Sequence, residues 1–321
     1  MKTVIIDGNA LLHRCMRVGT VATLTNRYGK STGGFFASLR VIHGVLVDHK
    51  IDEAYVVFDS GISERRRELL PEYKGPRYRN REDPFYEEPD TERALYLGKF
   101  RVQRAMLEYI LPRLGVRVVR LKEPHGWEAD DLIYVLTQLL ASCNILVVSD
   151  DKDMLQLVSN ANNRHVELYR PVAKQYISQD TFLDVVGYDQ NETLLRKAIL
   201  GDPSDNIPKV RGCGDKGVNT MFMEGAPVSS YPFDDFFVWC IDHHLKKVRS
   251  ISDNMDIVLR NYELMDLTLE DMSASIEPLN AITRRPVEVD LITVKRFFTE
   301  LDLHSLVREL HAWAIAFQRL R

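Results

Sequence analysis

The chain has 321 residues, is 45% hydrophobic and 27% charged, and carries a net charge of −4. That is the ordinary balance of a globular protein long enough for one large α/β domain or two smaller ones. No apolar run approaches the roughly 20 residues a membrane helix needs, and "MKTVIIDGNALL" lacks the apolar length and cleavage site of a secretory leader, so a cytoplasmic location is expected; a monomer is expected as well.

In chain order, "TVIID" (3–7), "EAYVVFD" (53–59), "VRVVR" (116–120), "NILVVS" (144–149) and "HVELYR" (165–170) read as strands. Their continuous apolar character suits buried, largely parallel pairing. Between them, Phe35, Leu39, Ile42 and Leu46 recur at helical spacing, as do Leu132, Val135, Leu136 and Leu139. The alternation predicts an α/β fold, a mostly parallel central sheet flanked by helices on both faces. Residues 60–98 interrupt it with a charged, proline-containing excursion, of the kind that forms lids or binding loops. Within it, Glu64 to Arg81 hold seven basic residues against three acids, so a nucleic-acid partner is compatible with the negative total. From about Ser178 the strand signal gives way to helical patterns, among them "NETLLRKAIL", "VDLITVKRFFTEL" and "HSLVRELHAWAIAFQRL". A boundary near 175/176 is expected, with residues 176–321 helical. Cys15, Cys143, Cys213 and Cys240 are far apart and form no C-x-x-C pair, which argues against zinc and against a disulfide framework.

Ligands of open parallel sheets bind outside the carboxyl ends of the strands, and acids collect there. Asp7 ends the first strand and Asp59 the second; Glu128, Asp130 and Asp131 open a helix after the third; Asp151 and Asp153 follow the fourth. Further on, "GDPSDNIP" sets Asp202 three residues before Asp205. Singly, each acid has a plain explanation as a turn residue or a first-turn helix acid. Together they repel unless cations neutralise them. The i, i+3 pairs Glu128/Asp131 and Asp202/Asp205 can each share a helix face. Hard oxygen donors without His or Cys point to Mg²⁺ or Mn²⁺, and two such ions roughly 4 Å apart clamp a phosphodiester. "DDKDMLQLVSN" lacks the central glycine and closing glutamate of an EF-hand. Without the nine acids, 37 acids face 42 bases; the rest of the chain is mildly basic.

"IIDGNALLHR", "VVFDS", "LLPEYKGPR", "GWEADDLI", "VVSDDKDMLQLV" and "GDPSDNIPKVRGCGDKG" in this order resemble the structure-specific 5′-nuclease family: flap endonucleases, phage 5′-3′ exonucleases and the 5′-nuclease domain of bacterial DNA polymerase I. The motifs cover roughly residues 3–220. The resemblance implies that Asp7, Asp59, Glu128, Asp130, Asp131, Asp151, Asp153, Asp202 and Asp205 bind two Mg²⁺ or Mn²⁺ ions, and that residues 1–175 are a nuclease core with a helical arch or clamp insertion at about 60–98. It assigns Lys74, with Arg77 as a second cation, to the charge that develops on the attacked phosphate. Tyr73 is expected to stack on a base, and Arg14 to contact DNA near the metals. Arg65–Arg67 read equally well as a solvated helix face or as phosphate contacts.

The loop after Asp205 resembles the family's helix–turn–helix motif for duplex DNA, placed at about 199–224. There Arg211, Gly212, Gly214 and Lys216 would meet a phosphate at a helix N-terminus, with K⁺ as a further ligand, as in relatives; a plain helix cap explains the glycines as well. The implied activity is hydrolysis of 5′ flaps, branched duplex or 5′-ended DNA, and of RNA–DNA hybrids with a 5′ RNA primer, read by shape rather than base sequence and leaving 5′-phosphate and 3′-hydroxyl ends. A PIN-type ribonuclease, which needs neither "EYKGPR" nor the glycine motif, a non-cleaving branched-DNA-binding module and a metal-stabilised structural domain are the alternatives.

Overall fold

The computed structural model describes all residues except 76–90, 123–125, 141–143, 162–163, 229–230 and 244–245. Arg77 and most of the expected arch lie outside the described residues. The chain divides into two units.

The first unit comprises residues 1–61, 89–179 and 272–321. Its sheet holds β1 (Lys2–Asp7), β2 (Glu53–Val57), β3 (Arg117–Val119), β4 (Asn144–Val148), β5 (Ser159–Ala161), β6 (Arg164–Arg170) and β7 (Gln175–Ile177). The order is β3-β2-β1-β4-β6-β5, with β7 also on β6. All five expected strands are present and pair in parallel, while the short β5 and β7 are antiparallel additions.

Strand alternation sends Val4, Ile6, Ala54, Val56, Leu146 and Val148 to one face, where they share a core with Leu12, Phe35, Leu39, Phe100 and Leu107. Ile5, Tyr55, Val57, Ile145 and Val147 are equally buried but point the other way, toward the face taken by the helix Ala129–Leu139, which packs on β1 and β2.

The expected split at 175/176 is corrected at the C-terminus. Val294, Phe298, Leu306 and Phe317 join the core of β1, β2 and β4, and Phe298 meets Phe35 edge to face. Arg117 on β3 donates to the Arg321 carbonyl at 2.9 Å, and Arg321 N–H donates to Asp52. Helical periodicity marks these residues as amphipathic without naming the surface they cover.

The second unit comprises residues 62–88 and 180–271. It contains the helices Glu64–Leu69, Thr193–Leu200, Asp215–Met223, Asp234–Asp242, Lys246–Ser252 and Met255–Met265. Leu195, Ile199, Val210, Val218, Phe236 and Val258 form its core. The fully buried Asn261 joins two strips of backbone there, donating to Ala198 O at 2.8 Å and Pro208 O at 2.7 Å. Cys15, Cys213 and Cys240 are buried free thiols. Among the described residues no helix is long and apolar enough to cross a membrane.

Candidate functional site

The parallel register brings the first acids together. Asp7 pairs with Val57, and Ile6 with Val148, so Asp7, Asp59 and Asp151 leave the sheet at the same edge, within two or three residues of their strands' last paired positions. Asp7 also caps the following helix, Gly8–Cys15: its Oδ1 accepts Ala10 N–H at 2.9 Å. Its Oδ2 accepts the Ser149 hydroxyl at 3.0 Å, and the same hydroxyl oxygen accepts Asp151 N–H at 3.1 Å. Ser149, 3% exposed, thus links two candidate ligands; the only hint of it in the sequence is a polar residue closing the apolar run "ILVVS".

Asp59 is held from two sides. Asn9 donates to its Oδ2, and Ala129 N–H donates to its Oδ1 at 2.7 Å. The second bond fixes the start of the helix Ala129–Leu139, with Glu128 at its cap and Asp131 in its first turn. Glu128 and Asp131 are 2% and 1% exposed, so their charges need compensation from within the protein or from a bound cation. Asp130 is more accessible. One carboxylate oxygen each of Asp130, Asp151 and Asp153 lies within 4.8 Å of the others, and Asp153 N–H donates to Asp151 at 2.9 Å.

Burial pushes the Asp7 carboxyl up to about 7, with Asp59 and Asp151 adding to the rise against the hydrogen bonds from Ala10 and Ser149. The Asn9 side-chain oxygen beside them is buried without a hydrogen-bond partner. An all-oxygen donor set, mutually repelling acids and an orphaned acceptor fit a hard divalent cation such as Mg²⁺ or Mn²⁺. Arg14, on the same short helix as Asn9, is engaged with Asp150 at 3.6 Å and donates to Pro171 O at 3.3 Å. Asp150, unremarked in the sequence, anchors it.

The remaining acids lie in the second unit. Asp202 and Asp205 do not share an α-helix face as their spacing predicts. Gly201, at φ 66°, ends the helix Thr193–Leu200, and Pro203 opens a 3-10 turn, Pro203–Asp205. Asp202 bridges Ile207 through paired backbone bonds of 2.9 and 2.8 Å. Burial raises the Asp202 carboxyl, but hydrogen bonds from Ser204 and the ammonium of Lys197, 3.7 Å away, outweigh it and hold the group below its usual value.

Lys74 sits in this unit beside Asp205. Its N–H donates to Asp205 O at 2.9 Å, and its Nζ lies 3.9 Å from the carboxylate.

Tyr73 is not placed to stack on a base. It is 4% exposed, packed among Leu70, Ile207, Leu264 and Met265, and lies under the Lys74 ammonium at 5.4 Å. An aromatic beside a lysine carries no periodicity in the sequence to reveal its burial. Arg65 and Arg66 are likewise turned inward, donating to Glu263 O and Leu264 O.

The glycine loop runs into the helix Asp215–Met223 with Gly214 at its cap. Arg211, Gly214 and Lys216 are exposed. Gly212 needs its residue type for φ 82°, whereas a Cβ at Gly214 would meet nothing within 4 Å. Ser250 steadies the loop by donating to Arg211 O.

A family model described as "5′-3′ exonuclease, N-terminal resolvase-like domain" matches residues 2–187. The chain is similar to DNA polymerase I of Treponema pallidum (strain Nichols), 30% identical over 220 residues, covering 66% of this chain and 20% of that protein. It is also similar to a 5′-3′ exonuclease of Aquifex aeolicus (strain VF5), 24% identical over 315 residues, 97% of this chain and 96% of the other. The chain thus spans about a fifth of the polymerase and nearly the whole of the exonuclease. Its fold is similar to that of the T5 D15 protein co-crystallised with metal ions, with a TM-score of 0.68, 20% identity, and coverage of 88% and 97%.

Proposed function

Since the chain belongs to the 5′-3′ exonuclease family through residues 2–187, we propose that it is a divalent-metal-dependent 5′-nuclease hydrolysing phosphodiesters of 5′ flaps and branched or 5′-ended DNA in replication or repair. The observation that carries this reading is the set of acids at one edge of the sheet, with oxygens of Asp130, Asp151 and Asp153 within 4.8 Å. A pure DNA binder gains nothing from acids facing a phosphate backbone.

In this reading Asp7, Asp59, Glu128, Asp130, Asp131, Asp151, Asp153, Asp202 and Asp205 are the metal ligands. When bound, divalent ions supply an activated water and offset the charge that builds on the attacked phosphate. The chain's own part is to orient. Ser149 aims the Asp7 carboxylate, Asn9 and the Ala129 N–H aim Asp59, and Lys74 stabilises developing negative charge. Arg211, Gly212, Gly214 and Lys216 bind a phosphate of the duplex at the start of the helix Asp215–Met223, the part expected of a helix–turn–helix motif, and K⁺ at this loop belongs to the same reading. Arg14, held in place by Asp150, is the basic group beside the acids that would contact DNA.

The test is cleavage of end-labelled 5′-flap duplexes, all-DNA and with a 5′ RNA segment, in Mg²⁺ or EDTA. Cutting is expected in Mg²⁺ alone, absent in Asp130→Asn, and slowed about 10²-fold in Lys74→Ala, the scale of losing one preorganised donor. Tight flap binding without cutting in Mg²⁺ would refute the nuclease reading.

A further inference from the structure

A guanidinium is costly to bury unless its donors are satisfied, and Arg66 is 2% exposed. Its Nε–H donates to Leu264 O at 2.8 Å, while Arg65 Nη2 donates to Glu263 O at 2.9 Å and its Nε to Glu270 at 3.2 Å. Glu263 and Leu264 stand in the last turn of the helix Met255–Met265, where carbonyls lack intrahelical partners and the dipole favours cations. Ser63 completes the clamp: its hydroxyl oxygen accepts Arg66 N–H at 3.1 Å and its O–H donates to Glu270 at 2.7 Å. A helix of only six residues, Glu64–Leu69, is thereby riveted to a longer one.

The rivet is connected to Lys74 by a continuous path of bonds. Arg66 O accepts Leu70 N–H at 2.9 Å, and Leu70 O accepts Tyr73 N–H at 2.8 Å. The Tyr73 ring packs with Leu264 and Met265, next to the carbonyl that Arg66 grips, and with Ile207. Lys74 follows at once with φ 51°, its N–H on Asp205 O. A lysine in this left-handed conformation is strained and persists only where its surroundings over-determine it. Asn206, itself at φ 59°, supports the same turn by donating to Glu72 O at 3.2 Å.

We propose that Arg66 is a positioning residue for Lys74: by fixing the helix Glu64–Leu69 to the end of the helix Met255–Met265, it sets the ammonium against Asp205. This rests on the role given to Lys74 above. Arg66 touches neither substrate nor metal in this scheme and acts through the turn alone.

The test is a double-mutant cycle on single-turnover cleavage of a 5′-flap duplex in Mg²⁺, with flap affinity measured separately. Arg66→Gln is expected to lower the cleavage rate about tenfold with affinity changed less than about twofold, since small misplacements of a catalytic group cost rate rather than binding. In a Lys74→Ala background the same change should cost no further rate, and Arg66→Lys should restore part of the loss. If Arg66→Gln does not fold, Arg66→Lys, which keeps a buried cation but loses the guanidinium bond to Leu264 O, takes its place in the cycle. Equal losses in both backgrounds overturn the proposal and leave the role of Lys74 standing. An unchanged rate for Lys74→Ala alone overturns that role, and the proposal with it.

Discussion

Asp7 and Asp202, both candidate ligands, are held in opposite ways. Burial and neighbouring acids push Asp7 up to about 7, while Lys197 and Ser204 overcome burial to keep Asp202 low. The folded protein without metal therefore binds a proton at Asp7 that the unfolded chain releases near pH 4, and stability from this group falls as pH rises toward and through 7. In EDTA, the melting temperature of the wild type should drop more between pH 5 and pH 8 than that of Asp7→Asn. Adding Mg²⁺ at pH 8 should recover it in the wild type far more than in the variant, by differential scanning fluorimetry; parallel pH curves would show that Asp7 carries no such strain. The acids themselves were legible because parallel strands deliver their C-terminal residues to one edge. Ser149 and Asn9 were not, since a hydroxyl and an amide announce no partner until the register sets them beside a carboxylate. Arg65 and Arg66 were hidden for a related reason: a short, charge-rich helix looks solvated until the carbonyls it covers are known.

Among the elements, the connection from the helix Thr193–Leu200 to the turn Pro203–Asp205 tolerates little change. Gly201 combines φ 66° with a Cβ direction that would come within 2.5 Å of Ile207 O and 2.6 Å of Lys209 N. Backbone atoms cannot step aside as a side chain can. Gly201→Ala should cost on the order of 1–3 kcal/mol in urea unfolding and slow cleavage by shifting Asp202, whereas Gly214→Ala, with open space at Cβ, should unfold within about 0.5 kcal/mol of wild type. Both glycines look alike in the sequence. Only the backbone angle and the approach of the Asp202–Ile207 bridge tell them apart.

For the whole molecule, the sheet with its flanking helices follows from alternating apolar runs, but the destination of the last helices does not. "VDLITVKRFFTEL" announces an amphipathic helix, and any apolar surface of the right width would satisfy it. Phe298 proves to be fully buried in the core of β1, β2 and β4. Phe298→Ala should lower stability by about 3–5 kcal/mol and loosen the sheet edge bearing Asp7, read as lost amide-exchange protection in β1; loss confined to residues beyond 290 would contradict this placement. On the ribosome the order of completion reverses the order of synthesis. The helical unit, begun second, has its last residue at Asp271, while the sheet unit, begun first, waits for residues 272–321. A nascent chain halted before residue 291 carries all nine candidate acids, yet lacks Phe298 and Phe317 of the core shared by β1, β2 and β4.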